Sequence, residues 1–223
     1  MASGTAKGGG RSETRARLLQ SACRHFAAEG WHGARVQEIC RDAGANIAAV
    51  NYHFGGKAGL YRAVWDLALE RSVVAEKSGE PLSKDEDREW LYAYIRACVH
   101  SVFDTGTGGL LRRLLAHEAA SPSPDSDELI SGHLAPRGTE LVARLRRLVG
   151  PDATDWQIGC CVFAIHSQFT ALALNRAARR ALFLGDSPSP AEAEGFCREI
   201  CAFVMGGIRA LRSVPPQARR SRT

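Results

Sequence analysis

The chain has 223 residues, 45% of them hydrophobic and 24% charged, with a formal net charge of +5. That length suits one or two domains with a buried core, and so average a composition excludes a wholly disordered chain. No apolar run approaches the roughly 18 residues of a membrane span, and the first fifteen residues lack the apolar centre of a secretory signal. The expectation is a cytoplasmic protein with no membrane partner. Seven cysteines, two of them adjacent (Cys160, Cys161), argue against a disulfide framework and for reduced thiols filling core positions. The charge is uneven: residues 1–71 carry 10 Lys/Arg against 6 Asp/Glu, and the remainder 19 against 18. A basic first third points to a polyanionic partner at that end.

Residues 1–11 are small, Gly-rich and basic, and read as a flexible arm. A helix follows, with Leu19, Ala22, Cys23 and Phe26 at i, i+3, i+4 and i+7 and a stop at Glu29–Gly30. A short helix places Val36, Ile39, Cys40 and Ala43 on one face, and Gly44 marks a turn with positive φ. Asn46 is placed to cap a third helix whose buried side is Ile47, Val50 and Phe54. Gly55–Gly56 breaks it, and Leu60, Val64, Leu67 and Ala68 open a fourth. Residues 77–86 read as a loop or domain joint. Helical spacing returns from Trp90 to Phe103 and from Leu110 to Ala120. Residues 121–127 (SPSPDSD) are a linker. A further helical pattern covers roughly 128–149, with a break at Pro136. The segment 154–184 is apolar nearly all round, as expected of a helix buried on several sides. After SPSP (187–190), a last helix carries Phe196, Ile200, Phe203, Val204, Gly207 and Leu211 on one stripe to about Arg212. The tail 214–223 reads as disordered. No segment reads as a strand, so the fold class is all-α.

Residues 36–54 have the spacing of a helix-turn-helix: one short amphipathic helix braces a second, which enters a DNA major groove. Ala48 and Ala49 are small enough to let the backbone approach base edges. Asn46, Asn51 and Tyr52 lie outward beside them, with chemistry suited to adenine edges and phosphates. Lys57, at the start of the fourth helix, reads as a phosphate ligand together with that helix's free N–H groups. Arg35 is a second phosphate candidate. His53 reads as packing beside Phe54. Arg11 and Arg15 have the alternatives of a neighbouring minor groove or plain solvation.

The run 36–61, VQEICRDAGANIAAVNYHFGGKAGLY, resembles the DNA-binding domain of the TetR family of transcriptional regulators. Ile39, Ala43, Gly44, Val50, Tyr52, Phe54, Lys57 and Leu60 carry the resemblance, and Phe26, Ala27, Glu29 and Gly30 match the end of the family's first helix. The phrase NIAAVNYHFGGKAGLY, with LLRRLLAHEAASPSP at 110–124, is similar to the family's CecR-like branch. The resemblance implies an N-terminal three-helix helix-turn-helix domain (12–71) joined to a larger helical ligand-binding and dimerisation domain (72–213). It also implies a repressor, homodimeric through helices at about 154–184 and 190–212, that leaves a palindromic duplex operator when a small-molecule effector binds. Arg35, Asn46, Ile47, Ala48, Ala49, Asn51, Tyr52 and Lys57 make up the expected DNA face. Two departures stand out: Ala34 and Arg35 replace the usual Thr or Ser cap of the second helix, and Asn46, Ala48, Ala49 and Asn51 replace the residues common in the recognition helix.

The effector pocket candidates are Trp90, Tyr94, Cys98, Phe103, Leu111, Leu115, His117, Glu118, His166, Gln168 and Phe169. The polar members matter most, because buried polar groups need partners. Cys197 and Cys201, with Cys160, Cys161 and His166, invite a zinc or redox reading, but no C-x2-C pair exists and the neighbours are apolar. Neither metal nor cofactor is expected. No phosphate loop, nucleophile elbow or HExxH motif occurs, which argues against an enzyme. The alternative is a helical ligand-binding or cysteine redox-sensing protein with little DNA binding.

Overall fold

The computed structural model describes residues 6–72, 84–134, 138–182 and 188–213, and these are helical with no strand among them. The helices are α1 (Ala6–Gly33), α2 (Val36–Ala43), α3 (Ile47–Phe54), α4 (Lys57–Arg71), α5 (Lys84–Phe103), α6 (Leu110–Ala120), α7 (Ser126–Glu128), α8 (Thr139–Val149), α9 (Asp155–Leu174), α10 (Arg176–Leu182) and α11 (Pro190–Leu211). A π-helical turn, Leu129–Leu134, follows α7. The expected joint at 77–86 lies outside the described residues as far as 83; Pro136 and the tail 214–223 also lie outside them.

The chain divides into two compact units. One holds α1–α4 together with 105–134, and the other holds α5 and 135–223. In this division α6 groups with the helix-turn-helix helices, although it follows the expected domain boundary at 71/72. The reason is packing. Leu110, Leu111 and Leu114 of α6 join Leu18, Ala22 and Phe26 of α1 and Leu60, Val64 and Trp65 of α4 in one buried cluster. Burying such side chains is the main force holding helices together.

In the first unit, α1 begins at Ala6, so 6–11 extends the helix where an arm was expected. Its buried stripe is Leu18, Ala22 and Phe26, with Leu19 and Cys23 half-buried at its edge. Ser21 Oγ donates to Ile39 O at 3.0 Å within the core and ties α1 to α2. α2 ends at Gly44, whose φ of 61° lets Ala45 N–H reach back to Cys40 O at 2.9 Å. Only a residue tolerant of positive φ closes the turn so tightly.

The second unit is built on α5, α8, α9 and α11 around Leu91, Ile95, Leu145, Ile165, Phe169 and Cys197. Asp87 is buried and accepts from Arg144 Nη1 (3.1 Å) and Arg147 Nε (2.9 Å), which fastens α5 to α8. α9 opens with a capping box between Thr154 and Gln157. α11 opens with another between Ser189 and Glu192, with Pro190 at the first turn. The end of the SPSP segment, Ser189–Pro190, is thus itself the start signal of α11.

Four expectations for this unit need correction. The segment 154–184 is two helices, interrupted at Asn175. α9 is buried on one stripe only, and Trp156 and Phe163 are 75% and 76% exposed. The stripe of α11 that is buried centres on Ala193, Cys197, Val204, Met205 and Ile208, while Phe203 is 74% exposed. Finally, α9 is long and apolar enough by length and composition to cross a membrane. Its uncharged Ser, Thr, Gln and His interrupt a strictly apolar run without making the segment polar, which is why counting the run alone passed over it.

Candidate nucleic-acid interface

The short α2 and α3 present a surface set by local sequence. Val50 is the residue of α3 fully buried in the core, which fixes the opposite face of the helix toward solvent. Gly59 brings α4 close against the end of α3: a Cβ at this position would lie 1.7 Å from Phe54 O. That contact went unnoticed in the sequence, although a glycine inside a helical pattern is the signal that points to it.

Asn46 is the N-cap of α3, and its Oδ1 accepts from Ala49 N–H at 2.9 Å. Its carbonyl-type oxygen is therefore already engaged, and its amide N–H groups face outward. Ala48 and Asn51 are exposed, and Tyr52 is 65% exposed. Ile47, assigned both a buried and a DNA-facing place, is 46% exposed, so its buried assignment fails. Ala49 is half-buried against the core, which turns it away from the outward face. Arg35 is exposed at the N-cap of α2, and no side chain caps that helix. The missing cap seen in the sequence is a missing cap in the fold.

Lys57 is the first residue of α4, where it was expected, and its side chain has an aromatic neighbour. It is half-buried, with its ammonium 4.8 Å from the centre of the Trp31 ring, and burial pushes its pKa down. It stays at the first turn of α4 but is anchored to an indole rather than extended freely into solvent. Two arginines supply charge from α1 as well: Arg11 lies 5.3 Å over the Tyr52 ring and Arg15 5.1 Å over Phe54. The sequence singled out both arginines but not their aromatic partners. His53 is half-buried between the rings of Tyr52 and Phe54. On α3, exposed Ala48, Asn51 and Tyr52, with Arg11 over the Tyr52 ring, thus form a basic, hydrogen-bonding surface, and Arg35 is exposed at the start of α2. Such a surface matches a phosphate backbone and groove edges.

The expected effector residues divide between the two units. Leu111, Leu115, His117 and Glu118 lie in the first. There Glu118 is buried and accepts from Tyr61 OH at 2.6 Å and Ser123 N–H at 2.9 Å. His117 Nε2 meets Ala27 O at 3.2 Å. These groups bind α6 to α1 and α4, so they are structural within that unit. Trp90, Tyr94, Cys98, Phe103, His166, Gln168 and Phe169 lie in the second. Gln168 Nε2 is bonded to Ala164 O of its own helix. The rings of Trp90, Tyr94, His166 and Phe169 form a chain of contacts, with Tyr94 OH 3.2 Å from His166 Nε2. Trp90 Nε1 is buried without a hydrogen-bond partner among the described residues.

All seven cysteines are free thiols: Cys40, Cys98, Cys161 and Cys197 are buried, Cys23 and Cys201 half-buried, and Cys160 exposed. Burial pushes Cys197 up to about 11 and raises Cys161 and Cys201 as well, which keeps these thiols protonated. Cys197 sits with His100 and Glu194 rather than with Cys160 or His166. Glu194 is already held by Tyr92 OH and by Arg96 Nε at 2.8 Å, which places a guanidinium where a cation would have to sit.

Two family models match the chain. One, described as bacterial regulatory proteins of the tetR family, covers residues 18–64. The other, the C-terminal domain of the HTH-type transcriptional dual regulator CecR, covers residues 87–208. The HTH-type transcriptional regulator AcrR of Shigella flexneri is 34% identical over 77 residues, 32% of this chain and 36% of that one. The HTH-type transcriptional repressor SCO4008 of Streptomyces coelicolor is 30% identical over 78 residues, 35% of this chain and 38% of that one. The chain thus spans little more than a third of the length of these curated relatives. A crystal structure of a HlyIIR mutant protein shares the fold, with a TM-score of 0.59 and 19% identity over 86% of this chain and 97% of that one.

Proposed function

Because the chain belongs to the TetR family, with a C-terminal domain of the CecR type, we propose that it is a DNA-binding transcriptional regulator and not an enzyme. It binds duplex DNA through α3 in the major groove, as a cytoplasmic homodimer on a palindromic operator, and acts as a repressor released by a small-molecule effector. The exposed edge of α3 carries this reading: Tyr52, Asn51 and Ala48 stand in solvent on a short, capped helix, with Arg11 over the Tyr52 ring and Arg35 exposed at the start of α2. A two-fold dimer supports half-sites separated by about one helical turn, roughly 34 Å. The repressor reading is supported by the name of the Streptomyces relative. The effector reading is supported by the aromatic chain at Trp90–Phe169 and the unpaired Trp90 Nε1, a donor suited to a ligand's polar atom. No resident cofactor enters this scheme.

Selection of bound duplexes from a random pool, followed by fluorescence anisotropy, tests the reading. Wild-type affinity is expected to fall about 10³-fold or more between 50 and 200 mM salt, if some six or more phosphates are contacted. Tyr52→Ala is expected to weaken binding by roughly tenfold with unchanged helicity. Enrichment of no sequence, or equal affinity of wild type and Tyr52→Ala, would favour the ligand- or redox-sensing alternative.

A further inference from the structure

Within the first unit, α1, α4 and the start of α6 enclose an open cleft of about 670 Å³ that belongs neither to the α3 surface nor to the aromatic chain of the second unit. Its floor is apolar, formed by Leu19, Leu67 and Leu110, and its rim carries Arg24, Arg71 and Arg113. Among the described residues, no acidic one lines it. Arg113 is held in place by donating to Gly106 O at 2.7 Å, so one guanidinium is fixed at the mouth.

Two further observations agree on the sign of the field inside. α6 starts at this cleft with no side-chain cap and no acidic residue in its first turn; Leu110 N–H donates to Thr107 O at 3.3 Å, and the following N–H groups keep this end positive. Cys23, on the cleft wall, has its pKa raised by burial, and Arg71, Arg24 and Arg113 all act on it in the opposite direction. Three arginines and a helix N-terminus therefore line one cleft together with leucine side chains. A cleft of this size holds a ligand of drug-like dimensions. Guanidinium forks match a carboxylate bidentately, and the leucines match a hydrocarbon body.

We propose that this cleft is a binding site for an organic carboxylate with an apolar body, such as a medium-chain fatty acid. The carboxylate sits among Arg24, Arg71 and Arg113, and the chain lies along Leu19 and Leu67. The site is independent of DNA recognition, because none of these residues belongs to the α3 surface.

Isothermal titration of the full chain with decanoate, in the absence of DNA, tests it. Decanoate is expected to bind, decanol at least tenfold more weakly, and inorganic phosphate not to compete, since charge and chain are both required. The double variant Arg24→Gln/Arg71→Gln changes two exposed side chains and so leaves the fold intact. It is expected to lose affinity roughly tenfold or more. Ala28→Trp, an exposed lining position on α1, fills the cleft and is expected to abolish binding. The proposal is overturned if decanoate fails to bind at millimolar concentration, if decanol binds equally well, or if both variants bind as wild type does. That last result would place the ligand in the second unit. Because no DNA is present, failure here leaves the reading of α3 untouched, and failure of duplex binding leaves this site untouched.

Discussion

Glu118 is a carboxylate taken out of water, and its environment shows how the first unit tolerates that. Burial acts to raise its pKa, but donation from Tyr61 OH, Ser123 N–H and the hydroxyls of Ser126 and Ser123 outweighs it, and the group lies below its ordinary value of 4.5. Tyr61 is shifted the other way, raised by burial and then by the same carboxylate, so the shared proton stays on the phenol. A carboxyl with a depressed folded pKa stabilises the native state fully above its unfolded value. That contribution is lost as pH falls through the folded value. Unfolding free energy of the first unit is therefore expected to drop as pH is lowered below about 4.5. Glu118→Ala leaves two buried donors, Tyr61 OH and Ser123 N–H, without an acceptor, at a cost of about 3 kcal/mol. Urea titration at pH 7 and pH 4 checks both points. An Ala variant as stable as wild type, or a wild type indifferent to this pH change, would remove the role assigned here. The same residue shows what a sequence can convey at this scale. That Glu118 needs buried partners follows from its place on a helical apolar stripe. That the partners are Tyr61 and Ser123 rather than an effector depends on a contact across 57 residues, which periodicity does not encode.

Among the elements, those closed by local chemistry were the legible ones. The bounds of α2 and α6, the turn at Gly44 and the cap at Asn46 all follow from residues within a few positions of one another. What lay beyond reach was pairing. Periodicity gave α6 a buried face but not its partners α1 and α4, with which it packs in the first unit. The outward placement of Ala48, Asn51 and Tyr52 follows from the helical register of α3. That Ala49 is half-buried against the core and that the Lys57 ammonium lies over Trp31 are decided by packing, which the register of α3 does not encode. Close approach between elements leaves a fainter trace, a small residue, and Gly59 is the instance with the largest consequence. Its Cα packs so near Phe54 O that any side chain must push α4 away from α3. Gly59→Ala is expected to destabilise the first unit by about 3 kcal/mol, despite alanine's better helix propensity. Thermal unfolding followed by circular dichroism measures this, and a variant as stable as wild type or more so would show that the two helices can separate without loss.

On the scale of the whole molecule, the most informative mismatch is the surface of α9 and α11. An all-round apolar helix was expected to be buried on several sides, yet one chain covers a single stripe and leaves Trp156, Phe163 and Phe203 at least 74% exposed. Trp156 and Phe163 are seven residues apart and so share a face of α9, with exposed Cys160 and the bare backbone of Gly159 between them. Large aromatics on a surface with little charge are what the centre of a stable protein–protein interface is made of. A homodimer that buries these rings accounts for them without any second type of partner. If Phe163 is near such an interface's centre, Phe163→Glu places a carboxylate from each copy in a desolvated site. It should then weaken dimerisation by at least about 30-fold, the penalty typical of a central anchor. Because Phe163 is exposed in the single chain, the variant should retain wild-type helicity. Sedimentation velocity then separates the outcomes: a monomer of 24.1 kDa is expected where wild type sediments as twice that mass. Affinity for a palindromic duplex should fall with it, since each chain would hold one half-site alone, whereas affinity for an isolated half-site should stay at its wild-type level. A Phe163→Glu protein that remains dimeric would move the interface away from α9. A wild type that is monomeric at micromolar concentration would require another partner for these rings.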